Sequence, residues 1–356
     1  MNDLMRFGPG NRMQIGSWPG ALNGNAFLNI LAAAFDQLGA RFVPVKRPSQ
    51  GVIPDMDALL IQWPDVIFWK AKLGIAPYLA VFSELRALRK WRRSGKKLIW
   101  IVHNAVPHDL NAQQLRLWSY YSRQLSALSH GYMTLSPSTQ SAVLRHHPEL
   151  STKPASSFRH PSYTFVKRAP QEILDRRSKL GIPTDARVIG ALGRIGRYKG
   201  LPELIEAFRA IEDDRLYLIA CGKPKNSSAR AEVEAAAANE PRIRLCFDLL
   251  TDEDFALTTA ACDAIVAPYR EYLHSGSLVY AMSAERRLLT PRTPFAEDLA
   301  DCVGPGWITL YDGQLTSSLL RDFVAATPQL GKPELSALDP ILAAQEILKF
   351  VREIRL

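Results

Sequence analysis

The sequence predicts an α/β protein made of two Rossmann-like domains, each a parallel sheet wrapped by helices, facing one another across a deep cleft. Three observations carry that prediction. Each half alternates short apolar runs with amphipathic helical runs, the pattern of a parallel sheet with crossover helices. The length of 356 residues exceeds one ordinary core and suits two. The stretch HPSYTFVKRAPQ at 160 to 171 and the turn signal GIPTD at 181 to 185 interrupt both periodicities.

In the first half the strand-like runs are MQIGSW (13 to 18), RFVPV (41 to 45), ALLIQW (58 to 63), KLIWIVHN (97 to 104) and GYMTLS (131 to 136). Helical patterns separate them, notably at 25 to 39 and 111 to 128. The second half offers RVIGALG (187 to 193), RLYLIACG (215 to 222), RIRLCF (242 to 247) and AIVAPY (264 to 269). Its helices include GLPELIEAFRAI, SARAEVEAAAANE and DEDFALTTAAC. We therefore expect domains at 1 to 165 and 166 to 335, followed by an amphipathic helix at 336 to 356 that packs back on the first domain.

Composition narrows the class. Hydrophobic residues at 47% and aromatics at 9% exclude disordered and fibrous chains. No apolar run reaches the roughly 18 residues that span a bilayer, and the first residues lack the apolar core of a secretory signal, so a cytoplasmic location is expected. Cys221, Cys246, Cys262 and Cys302 have no CxxC spacing, which argues against a zinc finger or a disulfide framework and for buried thiols.

Charge is unevenly shared. Residues 1 to 160 hold 19 Lys and Arg against 8 Asp and Glu, whereas the remainder holds 25 against 27. The excess concentrates at FSELRALRKWRRSGKK, where Arg86, Arg89, Lys90, Arg92 and Arg93 surround Trp91, directly after the apolar IFWKAKLGIAPYLAV. Basic residues beside Trp and aliphatic side chains suit an anionic membrane surface, and these six form the expected membrane face. The alternative is a solvated helix face. No nucleic-acid signature accompanies the charge, and no nucleic-acid partner is expected.

Ligands of open parallel sheets bind at the carboxyl ends of the strands. After the first strand of the second half comes GRIGRYKG, Gly193 to Gly200, opening a helix near Leu201. Glycines admit close backbone approach, free amides at a helix start favour negative charge, and Arg194 and Lys199 add cations. A second strand-to-helix turn follows AIVAPY: Tyr269, then His274, Ser275, Gly276 and Ser277 before LVYAMSAE. Two such turns on one sheet point to a diphosphate held by two helix starts. The acidic runs DMD (55 to 57) and DED (252 to 254) mimic metal motifs, but the first precedes a strand and the second reads as a helix start, so no metal is expected.

GRIGRYKGLPELIEAF, LIACGKP and APYREYLHSGSLVYAMS resemble the nucleotide-sugar-binding domain of two-Rossmann-domain glycosyltransferases. QWPD (62 to 65), IVHNAVPHD (101 to 109), GRYKG (196 to 200), PYREYLHSGSL (268 to 278) and VGPGWITLYDG (303 to 313) are similar, more closely, to the xanthan-pathway β-mannosyltransferase family. The resemblance implies transfer of mannose from GDP-mannose, with inversion, onto a polyprenyl-diphosphate-linked oligosaccharide in exopolysaccharide synthesis, at the inner face of the bacterial plasma membrane. The nucleotide sugar is then a co-substrate, and no further cofactor is implied. Retaining relatives carry two glutamates with seven residues between them where this chain has His274 and Met282, which disfavours their mechanism and removes the usual carboxylate for the ribose. Glu271 or Glu285 could replace it. Arg286 and Arg287 also depart from the closer family, so the donor's base or sugar could differ. The alternatives are a retaining or UDP-sugar-dependent transferase of the same fold, or a non-catalytic glycan-binding relative.

Inversion needs a general base for the acceptor hydroxyl and positive groups for the departing diphosphate. Arg194 and Lys199 fit the second role. For the base, HNAVPHD offers Asp109, His108 and His103, with Asp65 of QWPD behind them, although Asp109 could instead cap the helix beginning at NAQQLRLW. Asn23, Asn25, Trp63 and Asn104 are candidate contacts to acceptor sugar, Trp63 being equally suited to the core.

Overall fold

A computed structural model describes residues 12–20, 25–50, 56–70, 74–108, 110–247, 251–326 and 331–355. The chain divides into two compact units, Met1–Pro161 with Ala337–Leu356, and Ser162–Ser336. In the first unit the elements are β1 (Gln14–Trp18), α1 (Ala26–Gln37), β2 (Arg41–Pro44), β3 (Ala58–Ile61), α2 (Ile67–Lys70) and α3 (Ala76–Arg93). They continue with β4 (Lys97–Val102), α4 (Ala112–Leu128), β5 (Gly131–Thr134), α5 (Gln140–His146) and β6 (Ala155–Ser157). The second unit contains α6 (Pro170–Lys179), β7 (Arg187–Leu192), α7 (Leu201–Arg209), β8 (Leu216–Cys221), α8 (Ser227–Ala237), β9 (Ile243–Cys246) and α9 (Asp252–Ala260). It ends with β10 (Ala264–Val266), α10 (Gly276–Ser283), β11 (Arg287–Pro291), α11 (Pro294–Val303), β12 (Ile308–Tyr311) and α12 (Ser317–Ala325), before the final helix α13 (Pro340–Glu353).

Both sheets are six-stranded, with order β2-β1-β3-β4-β5-β6 in one and β12-β11-β10-β7-β8-β9 in the other. The strand pairs within them are parallel, and the central strands are buried on both faces. This explains why ALLI and KLIWIV read as continuous apolar runs rather than alternating ones. The winding of each sheet reverses once, between β1 and β3 in the first and between β7 and β10 in the second. Crevices at the carboxyl ends of strands open at such reversals.

The last helix belongs to the first unit's core. Ala343, Ala344, Ile347, Leu348, Phe350, Val351 and Ile354 pack with Phe27, Leu31 and Phe35 of α1 and with Ile99, Ile101 and Met133 of the sheet. Gly131 makes room for it: a Cβ there would stand 2.5 Å from Ile354 Cδ1 and 2.9 Å from Phe350 Cζ. Lys97 Nζ donates to the Val351 carbonyl at 2.7 Å, closing the helix's last turn.

All four cysteines are free thiols, with Cys221 and Cys262 buried and Cys246 and Cys302 half-buried. Among the described residues no helix is long and apolar enough to cross a membrane. Asp55 lies outside the described residues. Asp57 accepts from the Gln14 amide at 2.7 Å at the amino edge of the first sheet, and Thr251 caps the helix whose first turn holds Asp252, Glu253 and Asp254.

Candidate functional site

In the second unit, the turns after β7 and β10 come together at the reversal of winding. Gly200 makes this possible: its φ of 63° is left-handed, and a Cβ there would collide with the Pro268 carbonyl oxygen. The Arg270 amide donates to the Tyr198 carbonyl at 2.8 Å, and the Arg270 guanidinium pairs with Glu203 on α7, tying the two turns together.

Lys199 stands at this junction. Its Nζ donates to the Tyr269 hydroxyl at 2.5 Å, reaches Ser277 Oγ at 3.4 Å, and lies 3.7 Å from the centre of the Tyr269 ring. A Cβ on Gly193 would be 3.1 Å from Ser277 Oγ and 3.7 Å from Lys199 Nζ, so the same small space holds all three. α10 starts there with Ser275 as N-cap, whose side chain makes no capping bond. The Leu278 amide bonds to the Ser275 carbonyl at 3.2 Å, and no side chain caps the turn, an arrangement that suits an anion at the helix start. Arg194 is exposed on the turn after Gly193, while His274 is buried with its ring 5.4 Å from Phe295. Tyr272, absent from the sequence reading, braces the floor by accepting from Thr293 Oγ1 at 3.1 Å and packing edge-on to Tyr269.

One expectation for this unit is corrected. Glu285 lies at the far end of α10, two residues before β11 begins, and pairs with Lys167 at 2.9 Å. It thus sits at the amino edge of a parallel sheet, opposite the Lys199 cluster, and is not a donor residue. Arg286 and Arg287 lie at the same edge and serve helix ends. Arg286 donates to the Ala260 and Thr259 carbonyls at the end of α9, and Arg287 donates to the Phe323 carbonyl of α12. These contacts give both arginines a structural role at the amino edge of the sheet.

In the first unit, a second cluster forms at the carboxyl ends of β1, β3 and β4. Trp63 stacks on His103 with centroids 3.9 Å apart and planes at 22°. Phe27 meets both edge-on and lies 5.1 Å from the His160 ring. Beneath them His103 Nε2 is 3.0 Å from Gln62 Oε1, and Gln62 Nε2 donates to Ser17 Oγ at 2.6 Å. His160 is buried and bonded to the Pro161 carbonyl; desolvation penalises its imidazolium and pulls its pKa down to about 4. Gln62, Ser17, Phe27 and His160 escaped the sequence reading because only the folded topology joins them.

The other candidates scatter. Asn25 caps α1, its side chain accepting from the Phe27 amide at 3.1 Å, so it orients Phe27. His108 and Asn104 are half-buried on the loop after β4. Asp109 and Asn23 lie outside the described residues. The cap of α4 is Asn111, in a capping box with Gln114, and not Asp109.

Trp91, expected on a membrane face, is not at the surface. It is 1% exposed and packs inward on the buried stripe of α3 with Val81, Leu85 and Leu88, because helical spacing puts it on the core face despite its basic flanks. Arg92 donates to the Ala127 and Leu128 carbonyls at the end of α4, and Arg89 to Gln124 at 3.0 Å. The outward stripe of α3 is instead Ile75, Tyr78, Leu79 and Phe82, continuing as Arg86, Lys90 and Arg93. Between α3 and α4 a groove of about 460 Å³ is lined by Phe82, Leu85, Tyr120, Arg89 and Arg116.

The family model for glycosyl transferases group 1 matches residues 172–277, which include both turns of the Lys199 cluster. The GDP-mannose:glycolipid 4-β-D-mannosyltransferase of Xanthomonas campestris pv. campestris is 26% identical over 322 residues, covering 89% of this chain and 85% of that protein. Among solved structures, HepE of Anabaena in complex with UDP and glucose is similar at a TM-score of 0.63 and 15% identity, over 97% of this chain and 98% of that one. WaaG, a glycosyltransferase involved in lipopolysaccharide biosynthesis, is similar at 0.60 and 13%, over 96% and 95%. A six-stranded parallel sheet with one reversal of winding in each unit, the Lys199 junction at the second reversal and these likenesses give the chain the two-Rossmann-unit fold of its glycosyltransferase neighbours, and its sequence is similar to the GDP-mannose:glycolipid 4-β-D-mannosyltransferases.

Proposed function

We propose that the chain transfers mannose from GDP-mannose, with inversion, to a polyprenyl-diphosphate-linked oligosaccharide in bacterial exopolysaccharide synthesis, while bound to the cytoplasmic face of the plasma membrane. The observation that carries the donor half is the junction of Lys199, Tyr269, Ser277 and the open start of α10 at the reversal of the second sheet. An ammonium and uncapped amides stabilise the diphosphate as it departs, without a metal in the scheme. The choice of mannose and of a glycolipid acceptor is supported by the Xanthomonas relative's name and by the length of the match.

For the first unit, His103 is the group best placed to take the acceptor's proton. It is held by a buried amide on one side and covered by Trp63, whose ring face favours the imidazolium that results. Trp63 and Asn104 then contact acceptor sugar. His274 and Met282 occupy the places of the retaining enzymes' glutamates, which supports inversion.

The membrane half of the proposal is supported by the α3 stripe, where Ile75 is 71% and Phe82 63% exposed. Its apolar amino half suits acyl chains and its basic carboxyl half suits anionic head groups.

Incubating the purified protein with radiolabelled GDP-mannose, GDP-glucose or UDP-sugars and a lipid-linked oligosaccharide extract tests the reading, with NMR of the product's anomeric carbon. A β-mannosyl lipid is expected. An α-linked product would make the enzyme retaining, transfer only from UDP-sugars would replace the donor, and no transfer from any donor would favour a glycan-binding role.

A further inference from the structure

Ser17 ends β1 but for one residue, Gln62 follows β3, and His103 follows β4. β1, β3 and β4 are neighbours in the sheet, and its winding reverses between the first two. The three side chains thus gather at the point where an open sheet parts its loops. They are 0%, 1% and 7% exposed.

The hydrogen bonds among them run in one direction. A carbonyl can only accept, so the Ser17 hydroxyl donates to the Pro19 carbonyl, 3.4 Å away. The hydroxyl has one proton, and toward Gln62 it therefore accepts, from Nε2 at 2.6 Å. With its amide nitrogen turned to Ser17, Gln62 presents Oε1 to His103 Nε2 at 3.0 Å. That oxygen only accepts, so the hydrogen sits on His103 Nε2. Trp63 on one face and Phe27 at the edge hold the ring plane, and the Gln62 bond selects between its two flipped orientations.

We propose that Ser17 and Gln62 are positioning residues that hold His103 as the Nε2–H imidazole, so that the proton exchanged during sugar transfer passes through Nδ1. The proposal rests on the reading of His103 as the acceptor's base. In that step the acceptor oxygen bonds to the sugar's anomeric carbon and the bond to the diphosphate oxygen breaks. The diphosphate keeps the bonding electrons, and the acceptor's proton moves to Nδ1. The imidazolium so formed still donates from Nε2 to Gln62, so the relay serves both protonation states without rearranging.

The test combines 15N-histidine NMR of the full chain with kinetics. The signals of His103 among the seven histidines are assigned by their loss in His103→Gln. Above its titration, wild-type His103 should show a pyrrole-type Nε2, a pyridine-type Nδ1 and a resolved, slowly exchanging Nε2 proton. Gln62→Leu should lose that proton to exchange and lower kcat about 10-fold or more, with donor KM within about twofold. Gln62→Glu restores an acceptor and adds charge, which should bring the proton signal back and move the acidic limb of the pH–kcat profile upward by about one pH unit or more. Ser17→Ala, a mild change, should broaden the same proton. A pyridine-type Nε2 in the wild type, or a Gln62→Glu profile superimposable on it, overturns the relay. An active His103→Gln with the expected wild-type spectrum would instead overturn His103 as the base while leaving the relay intact.

Discussion

Lys199 and Tyr269 are joined in two ways, the ammonium donating to the phenol oxygen at 2.5 Å and lying 3.7 Å from the ring centre. The ring holds the cation where Ser277 and the start of α10 converge. Lys199→Met should weaken GDP binding by about 10- to 100-fold, since a charge-assisted hydrogen bond contributes about 1.5–3 kcal/mol. Titration calorimetry reads this directly, and an unaltered Kd would remove Lys199 from the donor site.

Gly200 should tolerate no side chain. A left-handed residue bearing a Cβ costs about 1–2 kcal/mol, and here the Cβ also meets the Pro268 carbonyl. Gly200→Ala should lower the midpoint of urea unfolding and abolish the thermal stabilisation given by GDP, because the two turns can no longer close on each other. A variant with wild-type stability and a full GDP shift would show that the turns are independent.

Two variants divide the α3 stripe. Arg86, Lys90 and Arg93 changed together to Glu should release the protein from vesicles containing anionic lipid, each cation contributing about 1 kcal/mol at the surface. Phe82→Asp should weaken binding even to neutral vesicles, through its apolar contact. Sedimentation that is unchanged for both would assign membrane contact to another face.

Two buried groups of the first unit oppose each other with pH. Glu84 is fully buried, and desolvation lifts its pKa to about 7 despite Arg47 at 3.4 Å and the Ser49 hydroxyl at 3.2 Å. Its folded value lies above the ordinary 4.5, so its contribution, about 3 kcal/mol, is complete below pH 4.5 and lost as pH rises through 7. His160 runs the other way: with a pKa near 4 against the ordinary 6.5, its contribution of similar size is present above pH 6.5 and lost as pH falls through 4. Between 4.5 and 6.5 the slopes oppose. Glu84→Gln should therefore expose a loss of stability on acidification that the wild type masks. Urea unfolding at several pH values checks this, and a flat profile in the variant would contradict the burial of His160.

The nine strand runs legible in the sequence all form; the central ones are plainest, because a strand buried on both faces shows itself as a dense apolar run. β6, β11 and β12 were missed. ASS is an alanine and two serines, RLLTP opens on an arginine, and ITLY comes just after a Gly-Pro-Gly turn, so none has the length or alternation that marks a strand. The Lys199 cluster was legible because each turn carries its own glycines and lies directly between a strand and a helix. The Ser17–Gln62–His103 chain was not, since residues about 40 positions apart meet only through strand order. Trp91 misled because its basic neighbours obscured the phase of its helix, and Glu285 because a short helix carries it to the opposite edge of the sheet.

α13 has a consequence for biosynthesis. The apolar side of α1 and of the first sheet is closed by residues that leave the ribosome only after the whole Ser162–Ser336 unit has been made. At 5–20 residues per second, that wait is on the order of 10 to 40 s. The unit translated first is thus the last able to finish folding, and during that interval its uncovered Phe27, Leu31 and Phe35 are the surface a chaperone would meet.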